Sequence, residues 1–329
     1  MAFLDGMPTF SDVAKTYGDD GKTQAAIIEM LSQENEILLD AVATEANSTI
    51  GHKAMVRTGI PAATWRRINQ GVGKVKGTTA PVTFTPGQLA VYSEIDKTLA
   101  ELNGNTAAYR FLAAKGVMEG INQQMATAIF YENQAVNSER ITGFAPYYSL
   151  KSSSSGGNII DAAGTGGDNT SIWLIHWSPM TNTIFYPKGL MAGLQHRDFG
   201  EQTLKDDDGN QFQGYRDYWE WNIGLAVQDW RYTVRICNID VSLLSTDTTY
   251  LKTIVGYMID AEEKIQSLQG GRVAWYGNRT IRTALRKAIL EKVATNLTEE
   301  NIAGTMVTSF DGIPFRRTDV LHNAETRVL

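Results

Sequence analysis

Gly21-Lys22-Thr23 is the first place where residue types could do chemistry, because lysine and a hydroxyl after glycine suit a phosphate loop. The motif needs a further glycine where this chain has Thr16, and Asp19 and Asp20 would repel the phosphate. Asp206, Asp208, Asn210 and Asp217 have the spacing of a calcium loop. Gln211 stands where that loop turns on glycine, so a plain hairpin turn is expected there instead. His52, His176, His196 and His322 are scattered, with no His-x-x-x-His pair and no adjacent cysteine, so no zinc ligand set forms. Gly164-Thr165-Gly166-Gly167 lacks the apolar helix that follows a dinucleotide loop, and no Gly-x-Ser-x-Gly elbow holds a nucleophile. Cys237, the single cysteine, excludes an internal disulfide and reads as a small strand residue in Arg235-Ile236-Cys237-Asn238-Ile239. The aromatic residues from Tyr215 to Tyr232 could stack on sugars or bases, but at strand spacing they read as sheet packing. Neither catalysis nor a cofactor is expected.

Charge carries the stronger signal. Residues 46–93 contain no Asp or Glu, while Lys53, Arg57, Arg66, Arg67, Lys74 and Lys76 are all cationic. The 45 residues before them hold nine acids against Lys15 and Lys22. Segregation of this kind suits a subunit whose arms lie on copies of itself, because complementary surfaces fix register. Arg279, Arg282 and Arg286 form a second cationic stripe at i, i+3 and i+7, opposite Ile281, Leu285 and Ile289. That stripe is a solvated helix face, a row of donors for carboxylates at a subunit contact or, third, a nucleic-acid face that the overall negative charge disfavours. The net charge of -6 argues against a nucleic-acid binder, and no apolar run is long enough to span a membrane. Met1-Ala2-Phe3-Leu4-Asp5 lacks the pattern of a signal peptide, so a cytoplasm-like compartment is expected.

The elements that must position these charges follow from periodicity. Ile27, Met30, Leu31, Leu38 and Val42 predict an amphipathic helix over 23–43. Residues 46–93, β-branched and broken by Pro61, Pro81 and Pro86, predict a long hairpin turning at Gly71-Val72-Gly73. Limbs of about 15 residues would reach roughly 50 Å. Little in it could form a core apart from Trp65, Ile68 and Phe84, so it must lie on something, preferably a neighbour. Phe111, Ala114, Met118, Ile121, Met125 and Ile129 predict a rod-like helix over 106–133 capped by Asn105, in which Gly116 and Gly120 could admit another backbone. Lys151 to Gly157 reads as a mobile loop, 173–240 as aromatic strands with a turn at Asp207-Asp208-Gly209-Asn210, 249–268 and 279–294 as helices, and 313–317 as a strand. Helices among strands without regular alternation indicate α+β.

In this order the chain resembles the major capsid proteins of tailed double-stranded DNA bacteriophages, which have the HK97-type fold, and most of all coat proteins of epsilon15-like short-tailed phages. The resemblance runs through Ile141-Thr142-Gly143-Phe144-Ala145-Pro146, Tyr186-Pro187-Lys188-Gly189-Leu190 and Gly224-Leu225-Ala226-Val227-Gln228-Asp229-Trp230-Arg231. It continues through Asn278-Arg279-Thr280-Ile281-Arg282 and Gly312-Ile313-Pro314-Phe315-Arg316-Arg317. It implies an N-terminal arm (1–45), an extended E-loop hairpin (46–93), a peripheral domain with a spine helix (94–140 and 302–329), and a mainly axial domain (141–301). It implies pentamers and hexamers of this chain in an icosahedral shell around packaged DNA, in a virion assembled in a bacterial cytoplasm. Scaffolding, portal and decoration proteins would be possible partners, with no cofactor, no membrane and no cross-link through Lys74 or Lys76. An encapsulin-like compartment and a carbohydrate-active or carbohydrate-binding protein with a Trp-rich sheet are the alternatives.

Overall fold

The computed structural model describes residues 35–59, 61–101, 106–290, 297–302 and 305–329. The predicted helix over 23–43 therefore lies largely outside the described residues. Within them only α1 (Ile37–Asp40) is helical, and the chain is already extended in β1 (Ala43–Glu45). The Gly21-Lys22-Thr23 motif and the Asn105 cap also lie outside.

The larger of two compact units comprises Glu34–Leu89, Asn122–Gly193 and Trp221–Leu329. Its centre is β6 (Asn169–Trp177), whose nine residues are all buried. A strand buried on both faces needs a layer on each side, and alternation supplies the two cores. Ile172 and Leu174 face a cluster with Val234, Ile236, Ile254, Met258, Ile281 and Leu285. Trp173, Ile175 and Trp177 face another with Met125, Ile129, Phe130, Phe144 and Tyr148. The first layer contains α6 (Thr248–Lys264) and α7 (Arg279–Leu290), and the second the last turns of α3 (Thr106–Tyr131) and α4 (Phe144–Tyr147).

On either side of β6 run β10 (Thr233–Asp240) and β11 (Arg272–Gly277), both antiparallel to it. Beyond β11 lies β14 (Ile313–Arg317), parallel, then β13 (Thr305–Phe310) and β12 (Leu297–Ile302), antiparallel. β7 (Asn182–Tyr186) pairs in parallel with β1 and antiparallel with the end of β9 (Gln211–Val227). β5 (Ile159–Asp161) pairs in parallel with β10. The mixed pairing without β-α-β alternation is α+β, as expected.

Buried polar groups tie the ends of the chain to this sheet. Trp177 Nε1 donates to Tyr276 Oη at 2.9 Å, and Tyr276 donates to Asp40 Oδ2 at 3.1 Å. Arg316 Nε completes the chain at 3.0 Å from Asp40. Burial, then the Asp40 charge, drive the Tyr276 phenol well above its usual range. Near the C-terminus Arg235 meets Glu325 at 2.9 Å, both buried, and Ser171 and Tyr131 donate to the same carboxylate. An ion pair this deep persists because its remaining lone pairs are satisfied.

The Lys151 to Gly157 stretch is an ordered turn rather than an open loop. Ser155 is buried and donates to Tyr147 O at 2.5 Å, and Gly156 backs onto Lys151 O so closely that no Cβ fits. Serine and glycine were chosen for fit, which composition alone does not distinguish from mobility.

The smaller unit comprises Ala90–Ile121 and Leu194–Glu220 among the described residues. It contains most of β4 (Gly87–Asp96), α2 (Lys97–Glu101), the first part of α3, and a ribbon of β8 (Gln195–Lys205) with the start of β9. The ribbon turns at Asp206 to Asn210, with Gly209 at φ +85°. The calcium-like spacing is thus a hairpin turn, with Asp206 Oδ1 accepting from Asn210 N at 2.7 Å. Few apolar side chains are buried here: Ile95, Ala100, Ile121, Leu204 and Trp219. Polar contacts hold it instead. Arg110 bridges Asp198 (2.6 Å) and Asp217 (2.8 Å), and Asp217 also meets His196 Nε2 at 2.9 Å. Gly116 and Gly120 on α3 face open space, with no backbone approaching them among the described residues.

Candidate assembly interface

The cationic segment forms a hairpin of β2 (His52–Gly59) and β3 (Thr78–Phe84), antiparallel and paired with nothing else. Its base is fixed to the larger unit. Asn47 Nδ2 donates to Lys53 O at 2.6 Å, and Lys53 N donates back to Asn47 Oδ1 at 2.8 Å. Ala46, Ala54 and Phe84 pack with Phe185 and Ala226, and the His52 ring lies 5.5 Å from that of Phe185. A Cβ on Gly51 would stand 2.3 Å from Phe84 O, so only glycine permits this approach.

Beyond the base the described residues of the hairpin are mostly exposed. The limbs are eight and seven residues long, not the 15 expected, because residues 61–77 hold no strand. The turn falls at Arg67 to Gln70 rather than at Gly71-Val72-Gly73. Asn69 adopts φ 68°, Gln70 N donates to Arg67 O at 3.1 Å, and Arg67 N donates to Gln70 Oε1 at 3.1 Å. Asparagine tolerates the left-handed region and so took the position that glycine was expected to fill.

Trp65 is 104% and Ile68 93% exposed, and Val72 and Val75 are exposed beside them. Of the three apolar residues named for a private core, only Phe84 is buried. Lys53, Arg66, Arg67, Lys74 and Lys76 have no carboxylate partner among the described residues; the side chain of Arg57 lies outside them. The tip is thus an exposed apolar patch among cations that have no carboxylate partner among the described residues.

The helix arginines stand elsewhere, on α7, whose opposite face sends Ile281, Leu285 and Ala288 into the core. Arg279 meets Asp319 at 3.0 Å, a carboxylate shared with Arg317 Nε at 2.9 Å. Arg282 is half-buried, its Nε shielded with no acceptor, and Arg286 is exposed.

The residues that tempted a chemical reading are used for packing. Trp173, Trp177 and Trp275 are fully buried, Trp219 is nearly so, and Trp221 is partly buried against the second core. Burial pushes the Cys237 thiol up to about 11, away from the reactive thiolate. Among the described residues no cluster of His, Cys, Asp and Glu could hold a metal, and no helix is long and apolar enough to cross a membrane. The Arg110–Asp198–Asp217–His196 network was not foreseen. Asp198 and Asp217 lie 88 and 107 positions from Arg110, so the network has no local sequence signal.

An extended hairpin, a long α3 and a central mixed sheet define a coat subunit of the HK97 type. The chain belongs to the major capsid protein GP7 family, whose sequence profile matches residues 18–329. A chain from the solved structure of bacteriophage epsilon15 is 33% identical, covers 100% of this chain and 99% of its own, and superimposes with a TM-score of 0.74. The bacteriophage JBD30 capsid (8% identity, 79% of this chain and 84% of that one, TM-score 0.47) is a slighter likeness. So is the holo-SrpI encapsulin of Synechococcus elongatus PCC 7942 (8% identity, 70% and 95% coverage, TM-score 0.44). Neither carries an argument. No match was found among curated protein sequences. The chain is a structural capsid protein that assembles with itself into a shell.

Proposed function

We propose that copies of this chain form pentamers and hexamers that close into an icosahedral shell around packaged double-stranded DNA, with each hairpin tip completed by an adjacent copy. The observation that carries this reading is the tip itself, where Trp65 and Ile68 are exposed among unpaired Arg66, Arg67, Lys74 and Lys76. A bare apolar loop costs a free monomer solubility and gives it nothing, whereas buried between copies it supplies the anchor of an interface.

In this scheme 1–45 is the N-terminal arm, 46–93 the E-loop, 94–140 with 302–329 the peripheral domain, and 141–301 mainly the axial domain. One sequence must serve both ring sizes, and an arm anchored at its base can meet neighbours at different angles while the body keeps its shape. Gly51 and Phe84 hold that base rigidly, and the strand-free tip absorbs the difference. The hairpin cations, with Arg279, Arg282 and Arg286, would pair with carboxylates of other copies. A net charge of -6 suits a container from which DNA must later slide out. Assembly would take place in the bacterial cytoplasm, with scaffolding, portal and decoration proteins as possible partners.

Charge reversal at the tip tests this. Arg66→Glu with Arg67→Glu is expected to abolish shells, seen by negative-stain electron microscopy, while circular dichroism of the subunit is unchanged. Normal shells from that variant would overturn the pairing.

A further inference from the structure

Residues 322–329 form no helix or strand, yet they are held as a bound ligand is held. Leu321 closes the turn before them, its N–H on Thr318 O at 3.3 Å and its carbonyl accepting from Asn278 Nδ2 at 3.3 Å. From there the backbone hydrogen bonds run to other parts of the larger unit. His322 N donates to Tyr131 Oη at 3.2 Å, Glu325 N to Asn169 O at 2.8 Å and Val328 N to Asn238 Oδ1 at 2.9 Å. Asn238 Nδ2 donates back to Val328 O at 2.9 Å, and Lys151 N donates to Leu329 O at 3.1 Å. Of the segment's side chains only Glu325 and Val328 are buried, and the rest face solvent. Protein domains that recognise short motifs grip an extended peptide in this way, by its main chain and by pockets for a few side chains.

The groove is built without its occupant. Arg235 Nη1 donates to Tyr148 O at 3.0 Å, its Nε donates to Ser171 Oγ at 3.2 Å, and the guanidinium lies 4.9 Å from the Trp173 ring. Those contacts fix the cation and leave Nη2 to meet Glu325 Oε2 at 2.9 Å. Ser171 and Tyr131 donate to the same carboxylate. Such an anchor is selective, because a side chain without a negative charge would leave Arg235 unpaired in the core. At the second anchor Asn238 stands near the end of β10, before α5 (Val241–Thr246), with φ 56°. Asn238 Nδ2 also donates to Asp161 Oδ1 at 2.7 Å, and Lys151 holds Asp161 in turn. The fixed amide takes both backbone groups of Val328, as a neighbouring strand would. Donors and acceptors set in advance lower the cost of binding.

We propose that this groove is a peptide-binding site for an extended segment with glutamate three residues before valine, and that residues 322–329 are its tethered ligand, able to leave without unfolding the subunit. Glu-x-x-Val occurs once in the chain, at Glu325-Thr326-Arg327-Val328, so no other stretch of this sequence presents the pattern. Segments with few buried contacts and no ladder of their own are the parts of a protein that open locally. The tether gives the segment an effective concentration on the order of millimolar. The same pattern on another molecule is therefore shut out until the segment is released. None of these residues belongs to the hairpin, so the site stands or falls independently of the shell contacts.

The test uses the full chain and a fluorescent peptide with the sequence of residues 322–329, its binding read by anisotropy. Glu325→Lys sets a second cation against Arg235 and drives the tethered segment out. That variant is expected to bind the peptide at micromolar concentration, whereas the parent, its groove filled, binds it about tenfold or more weakly. A peptide with glutamine in place of its glutamate is expected to bind the variant about tenfold less tightly, the size of a lost charged hydrogen bond. Equal binding of the two peptides, or no binding to the variant, would overturn the site. If Glu325→Lys does not fold, Val328→Asp loosens the segment at its other anchor, and the same contrast between the two peptides is expected. Hydrogen exchange on the parent gives an independent reading. The amides of Glu325 and Val328 are expected to exchange about tenfold or more faster than those of Ile172 to Ile175 in β6. Equal rates would mean that the segment leaves only when the whole unit unfolds, and would refute the tethered ligand.

Discussion

Replacing Trp65 by serine should separate assembly from folding more cleanly than any other change. Trp65 is fully exposed among the described residues, so its removal leaves subunit stability within about 0.5 kcal/mol of the parent, as for other surface positions. If a neighbour covers it, a tryptophan of this kind buries roughly 150–250 Å². At about 25 cal/mol/Å² that is roughly 4–6 kcal/mol before the cost of fixing the tip is subtracted. Ordering a loop with few contacts of its own offsets part of this, which leaves about 2–4 kcal/mol per contact, the size of an interface hot spot. Each contact then weakens by roughly 30- to 900-fold, since about 1.4 kcal/mol is a factor of ten. Because a shell repeats the contact in every subunit, the protein concentration at which shells form rises steeply as each contact weakens. Light scattering against concentration reads that threshold, and thermal unfolding of the unassembled subunit reads its stability. Shells at the parental threshold would refute the reasoning. So would a clear fall in subunit melting temperature, because it would place Trp65 in its own core.

Three other outcomes follow from the geometry. Gly51→Ala forces a Cβ to 2.3 Å from Phe84 O; shifting the hairpin base to relieve it should cost about 1–3 kcal/mol by urea unfolding. Arg235→Met leaves Glu325 buried without its cation and should cost about 3–5 kcal/mol, a loss that Glu325→Gln made in the same chain partly restores. Burial, then the neighbouring Asp311, hold the Glu262 carboxyl at about 7, above its unfolded value near 4.5. A raised carboxyl favours the folded state at low pH, and this contribution is lost as pH climbs from about 4.5 through 7. Solvent screening of the half-exposed group limits the loss to about 1–2 kcal/mol. Glu262→Gln should therefore flatten stability between pH 5 and 8, and an unchanged slope would remove Glu262 as its source.

The sequence reveals elements better than it reveals their ends. The α3 rod is legible from Phe111 to Ile129 because its apolar residues recur every three or four positions, and the structure ends it at Tyr131, two residues short of expectation. The hairpin is legible from its charge and β-branched residues. Its true length is not, since residues 61–77 have strand-like composition but pair with no strand among the described residues, and pairing is a property of two segments. The turn was misplaced for a local reason: Asn69 reaches a positive φ that was expected only of Gly71 or Gly73. The cationic residues of the hairpin are legible because an acid-free stretch is visible by eye. Their isolation from carboxylates, and the groove that holds residues 322–329, depend on long-range folding and leave no mark in the sequence.

Cryo-electron microscopy of the purified protein tests the central claim most directly, by showing where residues 61–77 lie. The account predicts closed shells in which Trp65 and Ile68 sit against an adjacent copy, with carboxylates within ion-pair distance of Arg66 and Arg67. Single chains that stay separate at high concentration, or shells whose hairpin tip projects bare into solvent, would contradict it.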